Sequence, residues 1–375
     1  MTAPLEGLKV VELARVLAGP WIGQTLADLG AAVIKVESPE GDETRQWGSH
    51  FIERGEDRTA TYFFAANRGK SAITADFKKA DHLDHVKGLI TEADVVIENF
   101  KVGGLKKYGL DYDSLSKEHP RLIYASVTGF GQTGPYAHRA GYDFLIQGMS
   151  GIMDVTGVPD GEPQKCGVAF ADLFTGLYGV IGIQAALADR DRTGLGQQID
   201  LSLFDTMVAM MANQASSCLA TGISPTRMGN AHPSIVPYQV FPVANGHLII
   251  ACGNNGQFAR LCETLGAPEW AADTRFATNP ARLDNRDALV PLLTTKLSQW
   301  ERDELLYALE VASVPAAPIN TVAQALADPQ LNARGMKIEP EGIPALRTPL
   351  RFSRSTLSLE KSAPTLGQDD DEPSK

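Results

Sequence analysis

Residues 8 to 36 constrain the fold more than any other part of the chain. Leu8 to Leu13 (LKVVEL) is an apolar run of strand length, Ala18 to Leu29 has the texture of a helix, and Ala32 to Val36 is a second apolar strand. Strand, helix and strand in that order form a βαβ unit, whose crossover brings the second strand back parallel to the first. Ala93 to Glu98 (ADVVIE) and Leu122 to Thr128 (LIYASVT) read as further strands and alternate with helical stretches such as Leu83 to Thr91. A mostly parallel sheet with helices on both faces follows, so the fold class is α/β.

Beyond Gly167 the texture changes to Ala- and Leu-rich helical runs, Asp172 to Leu187 and Leu201 to Leu219, separated by the turn-rich Asp189-Arg-Asp-Arg-Thr-Gly-Leu-Gly. Ser224 to Pro237 reads as a linker into a second unit. That unit opens with the strand Leu248 to Ala251 and continues through helices near Gln257 to Leu265 and Arg286 to Leu297. The tail from Gln368, rich in aspartate, reads as disordered.

Charge and cysteine usage remove several functions. A net charge of −11 over 375 residues disfavours a nucleic-acid or anionic-lipid surface, since both require a basic face. Any anionic ligand must meet a local basic cluster. Cys166, Cys218, Cys252 and Cys262 lack zinc-ligand or CxxC spacing, as expected of fillers in a reducing compartment. With a strand starting at Leu8, no leader is expected, nor a bilayer-spanning stretch, and the expected location is cytoplasmic. No metal is expected, because His82 and His85 have no third ligand of matching type nearby.

Familiar nucleotide motifs fail on inspection. The first turn, Ala18-Gly-Pro-Trp-Ile-Gly, places Pro20 and Trp21 where GxGxxG needs bare backbone, which weakens an NAD-dependent oxidoreductase despite Glu37 at the end of the second strand. Gly69-Lys70-Ser71 ends like a P-loop, but Phe64 stands where its first glycine belongs. There is no GxSxG and no HExxH.

Four blocks taken together are more specific. Gly7-Leu-Lys-Val-Val-Glu-Leu with Ala18-Gly-Pro and Val33-Ile-Lys-Val-Glu, then Glu98-Asn-Phe-Lys-Val-Gly, then Arg121 to Pro135, then Ala169-Phe-Ala-Asp-Leu-Phe-Thr-Gly-Leu-Tyr-Gly resemble, in order and separation, the class III CoA-transferase family, which includes formyl-CoA transferase and CaiB/BaiF-like proteins. The segment Gly229 to Phe241 with Gly253 to Phe258 is most similar to its succinate, hydroxymethylglutarate and glutarate transferases. The resemblance implies a large Rossmann-like domain (1–205 with 330–375), a helical linker (206–224), a smaller α+β domain (225–329) with a glycine-rich loop, and an interlocked homodimer. It also implies coenzyme A and acyl-CoA as substrates with a small carboxylate as partner, and no permanently bound cofactor.

The same resemblance makes Asp172 the nucleophile. Read from the residues alone, Asp172 sits at a helix start and reads first as an N-cap. Gly253, Asn254, Asn255, Gly256 and Gln257 match the family's active-site loop, a candidate lid. CoA contacts fall by position on Leu17, Ala18, Arg68, Lys70, Asn99, Phe100, Lys107, Arg139 and Tyr142. Arg227, His232 and Arg15 are alternatives for a distal carboxylate. The related α-methylacyl-CoA racemases carry histidine in Ala-Gly-His-Asp, where this chain has Ala140-Gly-Tyr142-Asp143; a phenol, with its pKa near 10, is a poor base at pH 7.

Overall fold

The computed structural model describes residues 2–371, which fold into two compact units. The first comprises the chain up to Met153, Lys165–Ser224 and the chain from Gln330 onward; the second comprises Asp154–Gln164 and Pro225–Pro329. Residues 206–224, expected as a helical linker, fall within the first unit, where Met207 is buried in the core, while residues 225–237 fall in the second. Residues 154–164 belong to the second unit, which the sequence reading did not foresee.

The first unit is built on six parallel strands. β1 (Lys9–Glu12), β2 (Ala32–Glu37), β3 (Ser71–Thr74), β4 (Val95–Glu98), β5 (Ile123–Thr128) and β6 (Gln198–Ser202) lie in the order β3-β2-β1-β4-β5-β6. β3 and β6 are edge strands that hydrophobic pattern alone did not reveal. The order reverses between β1 and β4, and ligands of such sheets bind outside the strand C-termini at that switch point. Central strands are apolar on both faces because both are covered. Val10, Val33 and Val95 enter one layer with α1 (Ala18–Asp28), while Val11, Val36 and Val96 enter the other with α2 (Ala80–Glu92).

Helices α3 (Asp143–Ser150), α4 (Phe170–Thr193), α5 (Leu203–Met210) and α6 (Ala212–Thr221) complete this unit. A glycine inside a helix costs about 1 kcal/mol relative to alanine, and α4 carries Gly176 and Gly179 where α1 crosses it. A Cβ at Gly179 would stand 2.4 Å from Ile22 Cδ1, and one at Gly176 2.9 Å from Trp21 Cδ1. The glycines let the two helices touch, which fixes the depth at which the start of α4 emerges beside the start of α1. By length and composition α4 is also apolar enough to cross a bilayer, contrary to the sequence expectation; in the fold, Val180, Ile183 and Ala186 are buried in the core.

The acidic tail is docked rather than free as far as Asp371; residues 372–375, also expected to be disordered, lie outside the described residues. Edge strand β3 leaves amides in need of acceptors, and the tail supplies them. Ala72 N–H donates to Asp369 Oδ2 at 2.7 Å, Thr74 N–H to Asp370 Oδ1 at 2.6 Å, and Asp369 N–H returns to the Ala72 carbonyl at 2.9 Å.

In the second unit, β7 (Tyr238–Val243), β8 (Gly246–Ala251) and β9 (Ala316–Pro318) form an antiparallel sheet in the order β9-β8-β7. It packs against α7 (Asn255–Thr264), α8 (Arg286–Leu297) and α9 (Arg302–Val311) through Phe241, Leu248, Phe258, Leu293 and Leu305. Arg282 is buried beside them, and donates to the carbonyls of Val236 and Phe276.

Candidate active site

Asp172 is the third residue of α4 and caps nothing. Ala169 holds the N-cap position without a side-chain bond. The cap comes instead from α3, where Asp143 Oδ1 accepts the Ala171 N–H at 2.8 Å and its Oδ2 accepts from Gln147 Nε2 at 2.7 Å. Gln147, fully buried, accepts the Cys166 N–H at 2.9 Å. The chain entering α4 is thus tied down at Cys166 and Ala171, while the Asp172 carboxyl has no hydrogen-bond partner among the described residues. Burial, followed by the nearby charge of Asp143, pushes the Asp172 carboxyl up to about 7. The same two carboxylates, after burial itself, help push Tyr62 up to about 12.

Asp172 faces a cavity of about 160 Å³ whose wall includes Leu17, Ala18, Asn99, Phe100, Arg139 and Tyr142. These seven residues, all singled out from the sequence, therefore converge here from four separate segments. Leu17 occupies the N-cap of α1 with no side-chain bond, and its amide and that of Ala18 find no acceptor among the described residues. An uncapped helix start concentrates donors and partial positive charge on whatever enters the cavity. Arg15 and Lys101 also line it, answering the need for a basic patch in an acidic protein. Gly129 and Gly141 close one side by direct backbone contact, a Cβ on either falling within 2.5 Å of the other's Cα.

A second cavity of about 390 Å³ shares Arg15 and Phe100 with the first, and lies over the C-terminal ends of β1, β2 and β3. Phe77 stacks on Phe100 with ring centroids 6.4 Å apart and meets Tyr108 edge-on at 5.5 Å; Lys78 adds a cation. Sequence reasoning missed Phe77, Lys78 and Tyr108. Phe77 and Lys78 follow closely on the end of β3 at Thr74, whereas Tyr108 comes from a turn well beyond β4.

Other expectations are corrected. Arg68 and Lys70 cannot reach a ligand, because both are buried. Arg68 pairs with Asp28, and Lys70 lies 2.8 Å from Glu12 with further bonds to Asn67 and the Pro20 carbonyl. Lys107 is exposed over the Tyr108 ring and lines neither cavity. Gly253 to Gln257 lie in the second unit and make a helix cap, not a glycine hinge. Asn254 caps α7 by accepting the Gln257 N–H at 2.9 Å, Gln257 Oε1 accepts the Gly253 N–H at 2.7 Å, and Asn255 accepts from Arg282 at 3.1 Å. Neither Gly253 nor Gly256 has a positive φ. Of the three cations proposed for a distal carboxylate, Arg227 is held by Asp154, and His232 Nδ1 accepts the Ser234 N–H. Arg15 alone lines the cavity of Asp172.

A doubly wound sheet thus sets an unpaired carboxyl of raised pKa in the same cavity as an uncapped helix start. The model of CoA-transferase family III matches residues 5–370, and the chain belongs to that family: it is a CoA-transferase. It is 53% identical to succinate–glutarate CoA-transferase of Agrobacterium fabrum, over 97% of this chain and 93% of that one. It is 39% identical to the human succinyl-CoA:glutarate CoA-transferase, over 97% and 84%. Among solved structures, a CaiB/BaiF family protein from Brucella suis superposes with a TM-score of 0.91 at 63% identity, covering 99% and 98% of the two chains.

Proposed function

We propose that this enzyme moves CoA from succinyl-CoA to a short dicarboxylate, glutarate first among them, through covalent intermediates on Asp172. The observation that carries this is the Asp172 carboxyl, unpartnered in a cavity that the free amides of Leu17 and Ala18 also line. A carboxylate oxygen of Asp172 attacks the thioester carbonyl, and the C–S bond breaks to give a mixed anhydride and CoA thiolate. The thiolate then attacks the aspartyl carbonyl, breaking the anhydride C–O bond and releasing succinate. The acceptor carboxylate attacks the resulting aspartyl thioester, expelling the thiolate, which attacks the acceptor's carbonyl and frees Asp172. Each thioester bond broken is matched by one formed, so no nucleotide is consumed.

The amides of Leu17 and Ala18 supply donors to the oxyanion that develops at each attack. Arg15 and Arg139 give the cavity cations for a distal carboxylate, and the Phe77, Phe100 and Tyr108 cluster with Lys78 gives the second cavity an aromatic and cationic lining suited to the adenine and phosphates of CoA. A second copy of the chain completes the enzyme as an interlocked dimer. In support, α6 buries none of its residues within the chain, and Phe144, Leu145, Tyr178 and Ile181 stand between 42% and 60% exposed on α3 and α4. Light scattering is expected to give twice the chain mass, and a monomer at assay concentration would count against the dimer. The four cysteines, none of them disulfide-bonded, accord with a cytoplasmic setting.

Mass spectrometry of the protein incubated with succinyl-CoA and a panel of acids tests the reading. Glutaryl-CoA is expected without ATP. Exchange confined to a monocarboxylate or to oxalate would overturn the dicarboxylate assignment.

A further inference from the structure

Four ionisable groups that the reaction does not use lie wholly inside the first unit. Glu12, Lys35 and Lys70 are 0% exposed and Asp42 3%. Lys35 Nζ sits 3.2 Å from Glu12 Oε1 and 3.1 Å from Asp42 Oδ2, and Lys70 Nζ 2.8 Å from Glu12 Oε2. Two carboxylates and two ammonium groups cancel in charge. Burial disfavours the Lys35 cation, but Glu12, Asp42 and Glu37 outweigh it, and its pKa is raised.

What the cluster holds is the turn between β1 and α1. Lys35 donates to the Ala14 carbonyl at 2.8 Å and Lys70 to the Pro20 carbonyl at 2.9 Å, so the two ammonium groups grip the backbone on either side of Arg15–Leu17. Between them, Asp42 accepts the Val16 N–H at 3.1 Å, and Asn99 binds both the N–H and the carbonyl of Arg15. Val16 has φ of +71°, a left-handed conformation that a β-branched residue rarely adopts unless its surroundings impose it. The next residues, Leu17 and Ala18, carry the open amides of α1 into the cavity of Asp172.

We propose that Asp42, anchored by Lys35, is a positioning residue that clamps Val16 in its left-handed state and so aims the α1 amides at the reacting carbonyl. This rests on the oxyanion role given to those amides above. Without the clamp, Val16 relaxes to negative φ and turns the amides away; a glycine at that position would populate the left-handed state unaided.

A double-mutant cycle decides it. Asp42→Ala is expected to lower kcat about 30-fold, the population ratio set by a backbone strain of about 2 kcal/mol, with KM for succinyl-CoA changed less than about threefold. In a Val16→Gly background the same substitution is expected to cost less than about threefold, because glycine has no strain to restrain. An equal loss in both backgrounds would overturn the proposal. If the alanine variant does not fold, Asp42→Ser, which keeps a cap for the Thr44 N–H but is one atom shorter toward Val16, takes its place, with amide exchange at Val16 as the readout. Faster exchange there than in the wild type supports the clamp, and unchanged exchange overturns it. Failure of the wild type itself to transfer CoA would instead refute the proposed function, and the amide exchange would still judge the clamp.

Discussion

Asp172→Asn is expected to lower CoA transfer by about four orders of magnitude or more, because in the proposed mechanism an amide oxygen cannot form the anhydride and no other carboxylate takes over its attack. The protein does not lose stability in consequence. Asp172 has a folded pKa of about 7 against an ordinary value of 3.8, so holding its charge costs the fold progressively as pH rises from about 4 and fully above 7. A shift of that size corresponds to about 4 kcal/mol at most. The neutral asparagine removes this cost, and the variant is expected to melt higher than the wild type at pH 8. Loss of activity together with a lowered melting temperature would point to a structural role instead.

The pH dependence of the first half-reaction follows from the same carboxyl. Only the ionised form attacks the thioester. With a pKa of about 7, the ionised fraction rises about a hundredfold between pH 5 and pH 8. Stopped-flow release of CoA thiol from succinyl-CoA should follow that rise and level off above pH 8. An ordinary aspartate would give a flat profile over the range. Asp143 raises the Asp172 pKa as the second cause after burial, so Asp143→Asn moves the midpoint to lower pH without abolishing it. A profile flat from pH 5 to 8 would remove the poised carboxyl from the account.

The basicity of Asp172 also suits a symmetrical exchange. A carboxylate of raised pKa is a better nucleophile than one at the ordinary value, and burial is the largest cause of the raised pKa of Asp172. Asp143 and Gln147 hold the helix start in place without spending a hydrogen bond on the Asp172 carboxyl.

The parallel sheet was legible in the sequence because its central strands are covered on both faces and so read as mostly apolar runs, broken by the charged Glu12, Lys35 and Glu37. Edge strands β3 and β6 were not, since SAIT and QIDLS carry polar residues on their open sides. The proposal of Asp172 as nucleophile came only through the joint order of four blocks; locally, Asp172 is indistinguishable from a cap. Arg68 and Lys70, assigned by position in the family resemblance, misled because their partners, Asp28 and Glu12, lie 40 and 58 positions away, beyond any local pattern. The aspartates of the tail misled similarly: charge density reads as disorder until an edge strand is found offering amides to Asp369 and Asp370. The aromatic lining of the second cavity, Phe77 with Phe100 and Tyr108, has no spacing to read, as it is assembled across the ends of different strands.

The most direct test is to quench the enzyme during turnover with succinyl-CoA by adding hydroxylamine, which captures activated carboxyl groups, and to map the modified peptide by mass spectrometry. The hydroxamate is expected on Asp172, dependent on succinyl-CoA and absent from Asp172→Asn. Turnover that continues with no hydroxamate, or with one on another residue, would contradict the covalent role of Asp172.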